Sequence, residues 1–430
     1  MKRMQSAGTR WRWVVLIAGV ALVARLIPGP RTIDDAYITF RYARNLLAGH
    51  GLVYNPGEQV LGTTTPLYAL LMAFLGVFSG GVHAPFPILA VGVNALADAA
   101  TCALLIWLGY RLRHPWTGYL SALAWSIAPW SVTFAIGGLE TSVYVFLLTA
   151  TAAAYLAERP GLAAVCGALS LLTRPDALIL LLPLGADALW RVARRNWRWS
   201  VSERRLGILA VGLLLLWGGF ATGFYGSPVP HSLVAKSFAY HLASSEAVVR
   251  LLQHYATPFL LHTRLGMLWV AVGLILYPFL FFVGVRRVLP RHAALWPWFA
   301  YPWLYFAAFA VAHPLIFRWY LTPPLAAYFF GILLGGETVF AAWRAGRRGI
   351  SEDAVRLWGT LATAGVFLLS CGVPLSTWVS HPDHGLNRPA PDMAWYKLEL
   401  LYHRAAHLVM ADAPVGSRPV LAAGDVGVLG

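Results

Sequence analysis

The chain has 430 residues, 58% of them hydrophobic and only 12% charged, with a mean hydropathy of +0.62 and a formal net charge of +15. A soluble domain carries about 25% charged residues, so this composition excludes a water-soluble enzyme and a disordered chain and points to a protein whose solvent is mostly lipid. The basic residues are almost all arginine (Lys2, Lys236 and Lys397 are the three lysines) and sit in short clusters between apolar runs, a pattern that suits membrane orientation and not nucleic-acid binding.

In chain order, Lys2, Arg3, Arg10 and Arg12 precede an apolar run over 13–27. It is longer than the apolar part of a signal peptide, and no small-x-small cleavage site follows, so it reads as an uncleaved first span that starts in the cytoplasm. Further stretches of helical length cover 87–110, 115–136, 141–157, 206–225, 265–285, 293–312, 320–341 and 357–376. Shorter ones cover 66–80, 161–173 and 177–190, where half-helices or interfacial segments are expected. Arginine clusters at 191–205, 286–291 and 344–356 join the N-terminus in holding about half of the basic residues, and they are predicted to be cytoplasmic. Segments 29–65, 226–262, 313–319 and everything after about 377 then fall outside. Two tracings satisfy this pattern, each with eleven spans. Glu140 is inside if 66–80 crosses the membrane, and outside if 66–80 only dips in and the chain breaks at Arg174-Pro175. The expected fold is an all-α polytopic membrane helix bundle of about 11 transmembrane helices, in a domain over 1–376. Cys102, Cys166 and Cys371 lie in apolar stretches and read as small core residues, neither a disulfide framework nor a metal set. No internal repeat or low-complexity segment is evident.

The first outer loop opens with adjacent carboxylates, Asp34 and Asp35, followed by an amphipathic helical pattern: Tyr37, Phe40, Arg41 and Arg44 recur at helical spacing, as do Ile38, Tyr42 and Leu46. Asp34 or Thr32 fits an N-cap, and the apolar side suits a helix lying along the membrane face. Capping needs only one carboxylate. A second one at a membrane surface is costly unless a cation, a metal or a proton transfer uses it. An ionised carboxylate within reach of a hydroxyl serves as a general base. Lys236 and Arg318 are isolated cations on outer segments, where topology asks for none, so each is a candidate for a phosphate contact against plain interfacial snorkelling. Arg174 with Asp176 at a proline break is either an intramembrane ion pair or part of the site. His231 sits beside the Lys236 segment, and Glu140 is an acid flanked by Gly137-Gly138 between two apolar runs.

A first span, an Asp-Asp pair and an amphipathic outer helix resemble the GT-C superfamily of glycosyltransferases, multi-pass enzymes that use polyprenyl-phosphate sugars. The stretch DDAYITFRYARNLLAGHGLVYNPGE (34–58), then TTTPLYALL (63–71) and YGSPVPHSLVAKS (225–237), resembles the actinobacterial terminal β-1,2-arabinofuranosyltransferase group. Gly138-Leu139-Glu140, Leu172-Thr173-Arg174-Pro175-Asp176 and Arg318-Trp319-Tyr320 extend the likeness over most of the chain. The resemblance implies Asp34 as base, with Asp35 helping to hold the acceptor or a metal, though the sequence does not separate the two roles. It further implies donor-phosphate contacts from Lys236, Arg318, Arg174 and His231, and acceptor or metal support from Glu140, Arg41 and Tyr37. A divalent metal ion (Mg, Mn or Ca) stays open as a cofactor. Many relatives carry an acid just before the Thr-x-x-Pro segment, whereas Val60-Leu61-Gly62 has none, and His231-Ser232 stands where Asn-Thr is more usual.

The implied activity is transfer of an arabinofuranose- or mannose-like sugar from a polyprenyl-phosphate donor to a hydroxyl of a glycan, lipid or protein. It would take place at the outer face of the cell membrane, with membrane lipids as surroundings and no nucleic acid as partner. A protein O-mannosyl- or aminoarabinosyl-type transferase of the same superfamily is the neighbouring alternative. A lipid-linked sugar flippase is the alternative of another class, and it predicts ionisable groups strung through several spans with repeat symmetry. His403 and His407, at i and i+4, lack the glutamate of a zinc-protease helix and read as a polar face. The segment 420–430 resembles a strand opening an outer α/β C-terminal domain, so 377–430 is expected to begin an extracytoplasmic domain cut short at Gly430.

Overall fold

The computed structural model describes residues 2–194, 200–239, 242–259, 262–345, 365–380, 388–394, 397–412 and 414. The side chains of some residues at helix and strand ends, Lys236 among them, lie outside the description. Helices dominate. The first is α1 (Lys2–Leu26), followed by the outer-loop helix α2 (Asp34–Leu47), the short α3 (Pro66–Val77) and the long α4 (Phe86–Arg111). Then come α5 (Pro115–Ile127), α6 (Pro129–Ile136), α7 (Thr141–Leu156), α8 (Pro160–Thr173) and α9 (Leu178–Ala193). The second half holds α10 (Val201–Tyr225), α11 (His231–Ala239), α12 (Ser244–Ala256), α13 (His262–Val288), α14 (Trp296–Ala312), α15 (Leu325–Ala345) and α16 (Gly365–Leu375).

Among the described residues four helices are long and apolar enough to cross a membrane, and a fifth span arises if α5 and α6 count as one. The expected count of about eleven is therefore not reached by length alone. Proline is the reason in several places. The stretch 115–136, read as one span, bends by 46° where Pro129 follows Ala128, because proline cannot donate to the preceding turn. Pro175 likewise ends α8 and separates it from α9, leaving Arg174 in an extended conformation. α3 has only 12 residues, too few to span. The outer segment 226–262, read as a loop, contains α11 and α12. Leu251 and Tyr255 of α12 are buried in the bundle.

Lipid tails offer helices no hydrophobic drive to associate, so close backbone approach matters more. A side chain on Gly109 of α4 would strike Gly118 of α5 at 2.6 Å, and one on Gly335 of α15 would strike the Leu280 carbonyl of α13 at 1.8 Å. These glycines let the helix pairs seat against each other. One buried polar knot ties the first helix to the core. Arg25 Nε donates to Asp98 Oδ2 at 2.9 Å, and Asp98 also accepts from Trp125 Nε1 (2.9 Å) and Ser142 Oγ (2.8 Å). The guanidinium further donates to the carbonyls of Ala21 and Ser126 and to Ser131. The knot fixes the start of α7, two residues beyond Glu140.

The C-terminal segment begins with antiparallel strands β1 (Trp378–Ser380) and β2 (Pro389–Pro391) and continues into α17 (Lys397–Asp412). It docks on the bundle: Trp378 Nε1 donates to the Ile127 carbonyl at 3.0 Å, and buried Arg31 donates to the carbonyls of Ala394 (2.7 Å) and Arg388 (2.9 Å). The strand expected at 420–430 lies outside the described residues.

Candidate active site

α2 begins with Ile33 at its N-cap position and no side-chain cap, so Asp34 and Asp35 are its first helical residues, not caps. The helix then works as a clamp for the loop that follows. Asn45 Nδ2 donates to the carbonyls of Val53 and Tyr54, Tyr42 donates to the Val60 carbonyl at 2.8 Å, and the Gly62 amide donates to the Tyr42 hydroxyl at 2.8 Å. Arg41 Nε donates to the Tyr54 carbonyl at 2.9 Å and lies 4.5 Å above the Tyr54 ring. The loop so held returns as Thr63-Thr64-Thr65, whose hydroxyls link to one another and to Thr39: Thr63 to Thr65 at 3.1 Å, Thr65 to Thr39 at 3.2 Å.

Beneath α2 run Gly137 and Gly138. Gly138 has φ +79°, and a Cβ there would meet Phe40 at 3.1 Å and Ala36 at 3.3 Å. Only glycine accepts both constraints, and Glu140 follows directly. The second outer segment is stitched to the first: the His231 amide donates to the Leu61 carbonyl at 2.8 Å, and the Leu61 amide donates to His231 Nδ1 at 3.1 Å.

Together these elements enclose a cavity of about 350 Å³. Asp35, Glu140, Arg174 and Asp176 supply its charges, and Thr39, Thr63, Thr64, Thr65, Ser232 and Tyr320 its neutral polar groups. Leu233, Phe309, Leu315, Phe317 and Trp319 line its apolar side. Arg174 is buried and doubly paired. Nη1 donates to Glu140 Oε1 at 3.0 Å, while Nε and Nη2 grip Asp176 in a bidentate fork at 2.9 and 3.0 Å. Tyr305 donates to Asp176 Oδ2 at 3.1 Å, and the rings of Tyr144 and Tyr320 lie 5.4 and 5.1 Å from the guanidinium. Among the described lining residues, three carboxylates accompany one guanidinium.

The sequence-derived candidates separate clearly. Asp35, Glu140 and Arg174 share the cavity. Glu140 and Asp35 thus line one cavity, and the chain breaks at Arg174-Pro175. Asp34 sits one residue away and is not part of the lining. Arg41 and Tyr37 are not part of it either: Arg41 pins the loop, and Tyr37 packs edge-on against Phe40 at 5.8 Å. His231 acts as a stitch, and its neighbours Ser232 and Leu233 reach the cavity. Arg318 is exposed and borders an adjoining cavity of about 330 Å³, with Glu399 and Met393 of the C-terminal segment. Phe317 and Trp319 line both cavities. Lys236 lies one turn beyond Ser232 on α11, and its side chain is outside the description. Sequence reasoning missed the threonine cluster and Ser232, although the Thr63–Thr65 run was a visible signal. The donor set does not fit a resident divalent metal: Glu140 and Asp176 are both engaged by Arg174, and among the described residues no group of three His, Cys, Asp or Glu converges.

The bundle with its outer-loop helix and this cavity has the GT-C glycosyltransferase fold, that of a multi-pass membrane protein. Over 232 residues the chain is 31% identical to the terminal β-(1→2)-arabinofuranosyltransferase of Mycobacterium tuberculosis. The match covers 48% of this chain and 35% of that protein, so the chain aligns with about a third of its curated relative. Among solved structures, ArnT of Cupriavidus metallidurans bound to undecaprenyl phosphate is similar with a TM-score of 0.52 at 14% identity, covering 94% of this chain and 73% of ArnT. The oligosaccharyltransferase of Archaeoglobus fulgidus gives a TM-score of 0.55 at 11% identity, covering 94% of this chain and 56% of the other. No family model matches.

Proposed function

We propose that this protein is a membrane glycosyltransferase that moves a sugar from a polyprenyl-phosphate donor to an acceptor hydroxyl at the outer face of the membrane. The observation that carries the reading is the cavity itself, in which Asp35, Glu140, Arg174 and Asp176 face an apolar flank of Phe309, Phe317 and Trp319. Such a site suits a ligand with a polar head and a hydrocarbon tail. The relatives support it: ArnT is bound to undecaprenyl phosphate, and the archaeal oligosaccharyltransferase has been seen with a dolichol-phosphate.

Of the two adjacent carboxylates, Asp35 is assigned as the general base, because it lines the cavity and a base must come within hydrogen-bond reach of the hydroxyl it deprotonates. Asp34 is assigned to holding the loop. Arg174 has its charge spent on Glu140 and Asp176, so its part is to position the site. The cation for the departing phosphate is assigned to Lys236, on the helix that brings Ser232 to the cavity. Arg318 is assigned to the acceptor side, in the adjoining cavity across Trp319. The sugar is arabinofuranose-like by analogy with the curated relative, and the N-terminus is assigned to the cytoplasm from the arginine clusters.

Mass spectrometry of lipid that co-purifies with the protein tests donor class. Recovery of a polyprenyl-phosphate sugar is expected, and recovery of bulk phospholipid alone sinks the proposal. Asp35→Asn should retain that lipid and lose transfer, and turnover at the wild-type rate would remove Asp35 from the role of base.

A further inference from the structure

A second charged cavity, of about 630 Å³, lies at the far end of the bundle. α4 starts at Phe86, stacked on Phe40 of the outer-loop helix at 5.8 Å, and ends at Arg111. At 1.5 Å per residue that length carries the chain about 39 Å away from the candidate active site. There the turn between α4 and α5 contributes Leu112, Arg113 and His114, and the connection between α13 and α14 contributes Arg287, Val288, Arg291 and His292. Buried Leu112 and Val288 form the floor, and Arg113, Arg287 and Arg291 stand exposed around it.

Among the described residues no carboxylate lines this cavity and none of the three arginines has an acidic partner. Glu337 of α15, a described acid near this end, is already engaged by the Thr117 amide (3.1 Å), the Thr117 hydroxyl (2.6 Å) and His114 Nδ1 (3.0 Å). The field converges on His292, whose imidazole is pushed down by burial and then by Arg111, Arg113, Arg291 and His114. Arg113 itself adopts φ +64°, a left-handed conformation uncommon for arginine. Topology alone requires positive charge on this side of the membrane. It does not require two separate turns to bring three arginines and two histidines to one hollow.

We infer that this cavity is a phosphate-binding site at the face opposite the candidate active site, made for the headgroup of an anionic membrane lipid. Exposed Phe279 and Phe282 on α13, one to two turns before Arg287, give acyl chains a surface beside the headgroup position. Phosphate between basic turns at a membrane surface gains both from charge and from bidentate arginine geometry. A soluble phosphate offers the same chemistry from the aqueous side, and the test separates the two sources.

The experiment uses the full chain, purified and delipidated, with native mass spectrometry after adding dioleoyl phosphatidylglycerol, tetraoleoyl cardiolipin or dioleoyl phosphatidylcholine, or inorganic pyrophosphate without lipid. The anionic lipids should be retained over phosphatidylcholine. R287Q/R291Q should weaken that retention by roughly thirtyfold, and R194Q/R205Q, which removes two exposed arginines outside the cavity, should not. R287K/R291K should keep part of the preference, which guards against a folding defect in the glutamine pair. Pyrophosphate binding that needs Arg287 and Arg291, without preference among the lipids, would keep the phosphate site but overturn the lipid as its occupant. Equal loss in both glutamine pairs, or binding of neither ligand class, would overturn the site.

Discussion

Asp176→Asn and Glu140→Gln each remove one negative charge from beside Arg174, yet the geometry makes them unequal. Asp176 takes two parallel bonds from the guanidinium at 2.9 and 3.0 Å and a third from Tyr305 at 3.1 Å, whereas Glu140 takes a single bond at 3.0 Å. A hydrogen bond to a charged group contributes about 1.5–3 kcal/mol, and removing one partner of a buried ion pair costs about 3–5 kcal/mol. Glu140→Gln leaves the fork engaged and should cost near the lower range; Asp176→Asn should fall in the upper one. Unfolding of a membrane protein in detergent is commonly irreversible, so the assay is the half-life of the folded monomer at fixed temperature. A difference of about 1.4 kcal/mol in the barrier is tenfold in rate, so Asp176→Asn should lose its folded form about ten times faster than Glu140→Gln. In an Arg174→Gln background the difference should shrink to what the Tyr305 bond supplies, since the fork is gone. Equal half-lives in the parent, or a difference of undiminished size without Arg174, would refute the idea that the fork secures the break between α8 and α9.

Lys236→Ala should raise KM for the lipid-phosphate donor with a smaller effect on acceptor KM, and Lys236→Arg should restore much of it; an unchanged donor KM would assign Lys236 to snorkelling. In a variant lacking Cys102, Cys166 and Cys371, a cysteine replacing exposed Glu58 should react with an impermeant maleimide in intact cells, and one replacing exposed Arg287 only after permeabilisation; the reverse pattern would invert the proposed orientation. Gly138→Val should cost of order 1–3 kcal/mol through its left-handed φ and the Phe40 contact at 3.1 Å, seen as a shortened half-life, and wild-type persistence would show that α2 can lift off Gly138 without loss.

The amphipathic helix at Asp34–Leu47 was legible because its period is local, whereas hydropathy alone did not give the span limits, since the run 115–136 bends at Pro129. Less accessible was anything fixed by a neighbour distant in sequence. Asp34 and Asp35 are adjacent, and which of them faces the cavity is set by how α2 seats on Gly137 and Gly138, about a hundred residues on. Arg41 looked like a ligand because it is a charge at the outer surface; its use as a clamp depends on the loop folding back to present the Tyr54 carbonyl. Arg318 looked like a second phosphate contact beside Lys236, but it lines the adjoining cavity with Glu399, while Trp319 lines both. The helix α12 was hidden inside a polar outer segment, although Leu251 and Tyr255, four residues apart, carried its buried face.

The charge balance of the site connects these strands. A cavity meant for a phosphate would be expected to present free cations, yet here every described cation in the lining is Arg174, and two carboxylates hold it. Among the described residues the lining thus holds more carboxylates than cations. The donor's charge then has to be met by something brought in from the rim. The His231–Leu61 stitch supplies the means, because it ties α11 to the same loop that carries Thr63–Thr65, so Lys236 and the threonine cluster share one support. On the proposed reading, the cation that meets the donor phosphate is carried on a helix outside the ion-paired core. Lys236 should then matter for donor binding far more than Arg174, and buried Arg174 far more for stability.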